Sequence, residues 1–335
     1  MKRILATALA IAASAAIAQT TTASTSSGQA TSTGSGQAWP AKPVRLLVGS
    51  PPGGPSDITA RTFGDQITKR TGQPVVVENR PGAGNNLAAG VAAKADPDGY
   101  TLVLSPDTVL TVNPLVYGTQ GFDARKDLLS ISVLASFSQM LVCHPSVGVS
   151  TAAELVAKAK TAQMNYASGG PGVPGHLAAE MFLQASGAKM QHVPYRGPAP
   201  ATQAVLAGEV ACGFLATPTV VPHVKAGKLK ALAVSSSTPS PLAPDVPTLA
   251  KALNQPDLDA SFRLVLQTAA GTPPAVVAQI EKLSAAIMQD PDVKAKLQTY
   301  DLVGIGSTSA QAQKVMGGEI ARWEPLVKRL GLKAD

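Results

Sequence analysis

Cysteine and histidine are scarce in this chain, and their scarcity removes whole classes of function. Of its 335 residues two are cysteines, Cys143 and Cys212. Two thiols cannot build the multi-bridge framework of a small secreted scaffold; they either form one bridge or pack as two small buried side chains. The four histidines, His144, His176, His192 and His223, show neither H-x-x-x-H spacing nor a Cys/His cluster, so no metal site is expected. Aromatic residues make up 4% of the chain and charged residues 15%. Lys and Arg do not gather into a stripe interleaved with aromatics, which argues against a nucleic-acid partner. Long apolar runs are missing as well. The uncharged stretch over residues 4–17 falls short of the roughly 20 apolar residues that span a bilayer, and no later one reaches that length.

What is present begins with Lys2 and Arg3 ahead of that apolar stretch, followed by Ala16-Ile17-Ala18, the small-x-small pattern of a signal peptidase site. The expectation is an export signal over 1–18, cleavage after Ala18 and a periplasmic protein. The formal charge of +7 then falls to about +5, a mild positive field that favours anionic ligands. Residues 19–38 are Thr, Ser, Gly, Gln and Ala, a composition that cannot offset ordering entropy by burial, and they read as a disordered tether.

From Trp39 the pattern becomes short β-branched runs followed by helical periods: 44–48 then 58–70, 75–77 then 87–94, and 102–104. The middle of the chain repeats it, with strands expected at 141–143, 165–167, 191–193, 211–215 and 231–234 and helices between them. A strand at 262–267 and helices at 275–288 and 310–330 complete the chain. This alternation predicts an α/β fold of mainly parallel sheets flanked by helices. Roughly 300 residues exceed what one core serves, so two lobes are expected.

Three Gly-rich loops join strands to helices: Ser50-Pro51-Pro52-Gly53-Gly54-Pro55-Ser56-Asp57, Arg80-Pro81-Gly82-Ala83-Gly84-Asn85-Asn86 and Ser168-Gly169-Gly170-Pro171-Gly172-Val173-Pro174-Gly175. Glycine lets backbone approach a ligand, and helix N-termini present N–H groups to an anion. In open α/β sheets such loops lie where ligands bind. The formal G-x-G-x-x-G at Gly170, Gly172 and Gly175 is not a dinucleotide fingerprint. Pro171 and Pro174 remove donors, and no acidic residue ends the next strand at His192-Val193-Pro194-Tyr195. No G-K-[ST] follows the other two loops, and Ser168 lacks the flanking Gly of a nucleophile elbow. No cofactor is expected. His176 either donates to a ligand carboxylate or bonds its own helix start. Asp57 reads as the cap of a helix beginning at Ile58, with a further chance of touching ligand. Arg196 either pairs with a carboxylate or makes an ion pair elsewhere. Ser105 and Thr108 offer hydroxyls at a strand end, to ligand or to the local turn.

Several stretches together resemble the Bug family, the periplasmic receptors of tripartite tricarboxylate transporters. They are Gly53-Gly54-Pro55-Ser56-Asp57-Ile58-Thr59-Ala60-Arg61, Val77-Glu78-Asn79-Arg80-Pro81-Gly82-Ala83-Gly84 and Ala95-Asp96-Pro97-Asp98-Gly99-Tyr100-Thr101-Leu102. Further on come His192-Val193-Pro194-Tyr195-Arg196-Gly197, Pro244-Asp245-Val246-Pro247-Thr248 and Ala270-Gly271-Thr272-Pro273. The resemblance implies a two-lobed periplasmic-binding fold of the second type, with residues 39–140 and 262–335 in one lobe and 141–261 inserted as the other. It implies a small organic carboxylate, mono- or dicarboxylate and possibly aromatic, held at Gly53 and Gly54 with Ser56, Gly84 and Asn85 beside them. Ser168, Gly169 and His176 would contribute from the second lobe, and the membrane subunits of the transporter would be the partner of a monomeric, non-enzymatic receptor. Arg263 stands where relatives often carry Trp, and the alignment puts this extra cation in the cleft. Two rival readings are a sensory co-receptor and a secreted hydrolase using Ser105 or Ser168 with His176 and Asp57.

Overall fold

The computed structural model describes residues 39–118 and 121–334. The export signal over 1–18 and the tether over 19–38 lie outside the described residues. Two sheets organise the rest. The six-stranded sheet runs in the order β11 (Val303–Gly304), β4 (Leu128–Phe137), β10 (Phe262–Ala269), β3 (Thr101–Pro106), β1 (Val44–Val48) and β2 (Val75–Asn79). The five-stranded sheet runs β7 (Gln191–Pro194), β6 (Asn165–Ser168), β8 (Cys212–Ala216), β5 (Gln139–Cys143) and β9 (Lys230–Val234). The chain therefore crosses between sheets at Ser138 and returns between Val234 and Phe262.

That double crossing dictates strand direction. β1 pairs parallel with β2 and β3, whereas β10 runs antiparallel to both β3 and β4. In the second sheet β6 pairs parallel with β7 and β8, and β5 is antiparallel to β8 and β9. Each reversed strand, β5 and β10, is the first strand after a crossing. It enters from the end at which the forward strands finish, so it must run against them. The two-residue edge strand β11 is also reversed. The remaining strands point their carboxyl ends toward the crossing, as mainly parallel sheets require, and these ends build the site.

Burial follows the same plan. Val44, Leu46, Leu47 and Val48 of β1 are all buried, as in a strand covered on both faces. The helix Pro55–Thr71 that follows has Pro at its first position and ends at Gly72, whose left-handed backbone (φ 75°) lets its N–H reach Thr68 O. Cys143 and Cys212 are register partners on β5 and β8 and are joined as a disulfide, so the bridged alternative is the one realised.

The three longest elements missing from the sequence expectation each have a physical reason. β4, Leu-Leu-Ser-Ile-Ser-Val-Leu-Ala-Ser-Phe, is broken up by serines and becomes a strand through its pairing with β10 along its whole length. The helix Thr217–Lys225 carries an internal Pro222, and the helix Pro291–Gln298 is short. Packing stabilises helices that local propensity does not announce.

Candidate functional site

The loops at the strand ends of both sheets enclose a cavity of about 340 Å³. Gly49 and Ser50 follow β1, Pro106 closes β3, and Phe137 and Gln139 flank the crossing residue Ser138. From the second sheet come the loop after β6 with Gly169, the loop after β7 with Tyr195 and Arg196, and Phe214 and Ala216 of β8. The helices Pro55–Thr71, Pro174–Ser186 and Pro198–Leu206 all begin at this cavity, each with a proline in its first turn. A helix start has no intrahelical partner for its first N–H groups, and proline at the first position has none to satisfy. Ser56 and Gly175, both on the cavity wall, carry N–H groups of this kind.

The two Gly-rich helix entries share one local device. In the first sheet the helix starts at Pro55 with Gly54 before it, not at Ile58, so Asp57 is the third helical residue rather than the cap. Its carboxylate reaches back to accept Gly53 N–H at 3.0 Å and also accepts from Asn79 Nδ2 and Arg61. Burial alone pushes the Asp57 carboxyl upward, but the hydrogen bonds from Arg61, Gly53 and Asn79 outweigh it and hold the group below its ordinary value. In the second sheet His176 takes the same third position, and its Nδ1 accepts Gly172 N–H at 3.0 Å. Of the alternatives for His176, the structure realises the helix-start bond.

Behind that entry lies a buried aromatic stack. The rings of His176 and His192 lie 4.1 Å apart and nearly parallel, and Tyr166 stacks on His192 at 5.0 Å. Ser168 Oγ bonds His192 Nε2 at 2.7 Å, and Tyr166 Oη donates to Glu180 Oε1 at 2.7 Å. Burial drives His176 down to about 3, helped by His192, and His192 down to about 4, so both rings are neutral at pH 7. The 3.6 Å approach of His176 Nε2 to Glu180 is therefore not an ion pair.

Of the residues named from sequence, Ser56, Gly84, Asn85, Gly169 and Arg196 line the cavity. Gly53, Gly54, Asp57, Ser168 and His176 are not on its wall: Gly53 is exposed and the other four are buried. Gly54 packs against the opposite sheet's loop, since a β-carbon there would lie 3.2 Å from Pro198 Cγ. Ser105 and Thr108 are fully buried away from the cavity, the former donating to Gln267 Oε1. Arg263 is not in the cleft. Its Nη1 lies 2.6 Å from Glu319 Oε1 on the helix Ser309–Leu330 and 3.9 Å from Asp107 Oδ2, two carboxylates that hold the cation outside the cavity. The hydrolase arrangement is not assembled: neither Ser105 nor Ser168 reaches the cavity wall, and Asp57 is engaged by Arg61.

Sequence reasoning passed over Gly49, Phe137, Gln139, Tyr195, Gly197 and Phe214. Gly49 had a signal in its position directly before the first Gly-rich loop. A β-carbon there would fall 2.4 Å from Cβ of Asn85, whose own backbone is left-handed (φ 80°). Gly197 (φ 117°) faces Pro51 across the cleft, and a β-carbon there would meet Pro51 Cδ at 2.5 Å. Phe137 and Gln139 become visible only once Ser138 is known to be the crossing.

The family model described as the tripartite tricarboxylate transporter family receptor, TctC, matches residues 59–332. Protein BugT of Bordetella pertussis is 32% identical over 302 residues, 89% of this chain and 92% of that one. A UPF0065 protein of Cupriavidus necator is 33% identical over 298 residues, 88% of this chain and 89% of that one. Among solved structures, Rpa4515 of R. palustris with adipate is 30% identical at a TM-score of 0.84, covering 88% of this chain and 99% of that one. MatC of Rhodopseudomonas palustris with bound malate is 26% identical at a TM-score of 0.80, covering 86% and 100%. The periplasmic binding protein BugD is 26% identical at a TM-score of 0.82, covering 89% and 100%. With two sheets meeting at a cavity of helix N-termini, and a family match across most of its length, this chain belongs to the tripartite tricarboxylate transporter receptor family, alongside the Bug proteins.

Proposed function

We propose that this protein is a periplasmic receptor that captures a small organic carboxylate between its two lobes and delivers it to the membrane subunits of a tripartite transporter, performing no chemistry on it. The first lobe is residues 39–138 with 262–334 and the second is 139–261, because the crossing at Ser138 puts Gln139 and Met140 on β5 and moves the boundary two residues ahead of the one expected from sequence. The receptor acts as a monomer. The observation that carries this reading is the convergence of three helix starts and one cation on a single cavity. Arg196 is the only charged residue on the cavity wall among the described residues, and no ion pair there involves it. The side-chain amide of Asn85 is likewise without a protein hydrogen bond among the described residues. N–H groups of Ser56 and Gly175 and the Asn85 amide suit an anion in partly desolvated surroundings, and the exposed Arg196 adds a positive charge. The adipate and malate seen with two related structures are both carboxylates, which supports the ligand class.

A thermal-shift screen tests it directly, using citrate, short dicarboxylates, acidic amino acids, nicotinate and aromatic carboxylates. A ligand at about 100 times its Kd should add about 2.7 kcal/mol of stability, and it should be recovered unchanged. Recovery of a converted product, or no shift with any carboxylate, would overturn the reading.

Closure also makes a prediction. Tyr117 Oη donates to Pro171 O at 2.8 Å, tying the first lobe to the Gly-rich loop of the second. Tyr117→Phe is expected to remove about 1 kcal/mol of closed-state stabilisation, weakening ligand binding about fivefold. The loss should fall mainly on the dissociation rate in stopped-flow measurements. An unchanged rate would mean that the contact does not hold the lobes together.

A further inference from the structure

One polar side chain on the cavity wall is used by nothing above. Gln139 opens β5 directly after the crossing residue, is 3% exposed and lines the cavity. Its backbone N–H donates to Ser235 Oγ and its carbonyl accepts from Ser235 N. Its side-chain amide makes no hydrogen bond to protein among the described residues, although the residue is nearly buried. Its amide atoms are not sealed from solvent, so water satisfies them before a ligand binds, and a ligand that displaces this water must replace its hydrogen bonds or lose affinity. The surroundings of Gln139 restrict what that ligand can be. Phe137, Phe214, Pro106 and Ala216 share the cavity wall with this residue and are all apolar. Gly175 stands close by, since a β-carbon on it would lie 3.4 Å from Gln139 Oε1 and 2.2 Å from Phe214 O.

Charge sets the second restriction. Arg196 follows β7, three strands across the sheet from β5, which at the ordinary strand spacing puts roughly 14 Å between the two strand axes. One cation balances one carboxylate, and helix starts add only partial charge. A second carboxylate at the Gln139 end would be desolvated with no counter-charge.

We propose that Gln139 is a specificity-determining residue, and that the cavity selects a monocarboxylate with an apolar body and a neutral hydrogen-bonding group at its far end, such as a hydroxyl, carbonyl or carboxamide. This rests on the carboxylate-receptor reading and sharpens it. Gln139 both donates and accepts, so it matches any of these groups. The apolar body lies against the wall formed at Phe137, Phe214, Pro106 and Ala216.

The test is titration calorimetry with two ladders of probes: benzoate, 4-hydroxybenzoate and terephthalate, and hexanoate, 6-hydroxyhexanoate and adipate. In at least one ladder the hydroxylated probe should bind about 10-fold tighter than the unsubstituted one, and about 10-fold tighter than the dicarboxylate. Gln139→Met keeps length and removes hydrogen bonding. It should erase the hydroxyl preference while leaving the unsubstituted probe within about twofold of wild type. If that variant does not fold, as judged by its melting curve, the wild-type ladders decide alone. A dicarboxylate binding tightest in both ladders, or a Gln139→Met loss equal across all probes, overturns the assignment and leaves the receptor reading standing. No binding by any of the six overturns the assignment too, and the broader carboxylate screen then decides whether the receptor reading falls with it.

Discussion

Replacing Cys143 and Cys212 together with alanine is expected to lower the stability of this protein by about 2–5 kcal/mol. The bridge joins residues 69 apart in sequence and ties β5, the strand that enters the second sheet from the crossing, to its neighbour β8. A cross-link over a loop of that length removes loop-closure entropy from the unfolded chain. The two cysteines are fully buried, so alanine leaves small voids but no unpaired polar group. Urea unfolding measures the effect: the midpoint should fall and the slope rise, because the unfolded variant is no longer held compact. Ligand affinity should change little, since neither cysteine lines the cavity. A midpoint unmoved by the double substitution would mean that the bridge does not constrain the unfolded ensemble. Bridges of this kind persist in oxidising compartments, which agrees with the proposed periplasmic location.

The second large effect is a loss of stability in acid that runs through the His176–His192 stack. In the unfolded chain both rings titrate near 6.5, whereas in the fold burial lowers them to about 3 and about 4. Between these values the unfolded state binds protons that the folded state refuses, so stability present above pH 6.5 declines as pH falls toward 4. Burial is the leading cause for both rings, even with the Glu180 carboxylate 3.6 Å from His176 Nε2. Tyr166 is pushed upward by burial and by Glu180 and stays neutral, and Ser168 is uncharged. Asp107 works in the opposite direction: burial and the neighbouring Glu319 raise it to about 7, so its contribution grows as pH falls. A direct pH profile mixes the two, and comparison with His192→Gln separates them. Glutamine can keep a hydrogen bond to Ser168 Oγ while removing the titration. From pH 6.5 to 4.5 the wild type should lose roughly 2–3 kcal/mol more than the variant, read from urea midpoints at the two pH values. Parallel losses would show that His192 is not held neutral in the fold.

Much of the frame was legible because its signals are local. Proline and glycine announce loop and helix entry through their own backbone preferences, and Pro55, Pro174 and Pro198 do begin helices at the cavity. Even there the reading slipped by a few residues. Asp57 looked like a cap, yet a proline at the first helical position moved the start upstream and turned the carboxylate back onto Gly53. The sequence alternation also sufficed for two α/β lobes of largely forward strands. It did not suffice for β4, whose serines hide a strand that exists through pairing with β10, more than 120 residues later in the chain.

Which side chains face the cavity was decided elsewhere. Arg263 looked available for a ligand because Glu319, the group that captures it, arrives 56 residues later on another helix. From sequence His176 could donate to a ligand or bond its own helix start, and the fold stacks it on His192 and uses its Nδ1 to hold Gly172. Gln139 lay outside the strand expected at 141–143, and only the crossing at Ser138 put it on β5 and on the cavity wall with Phe214. Sequence by itself determined the alternation of strands and helices over most of the chain and the chemistry of the loops that join them, because those depend on neighbours along the chain. Only the tertiary structure decided which side chains meet the ligand space, because the direction of a side chain depends on partners that the sequence places far away.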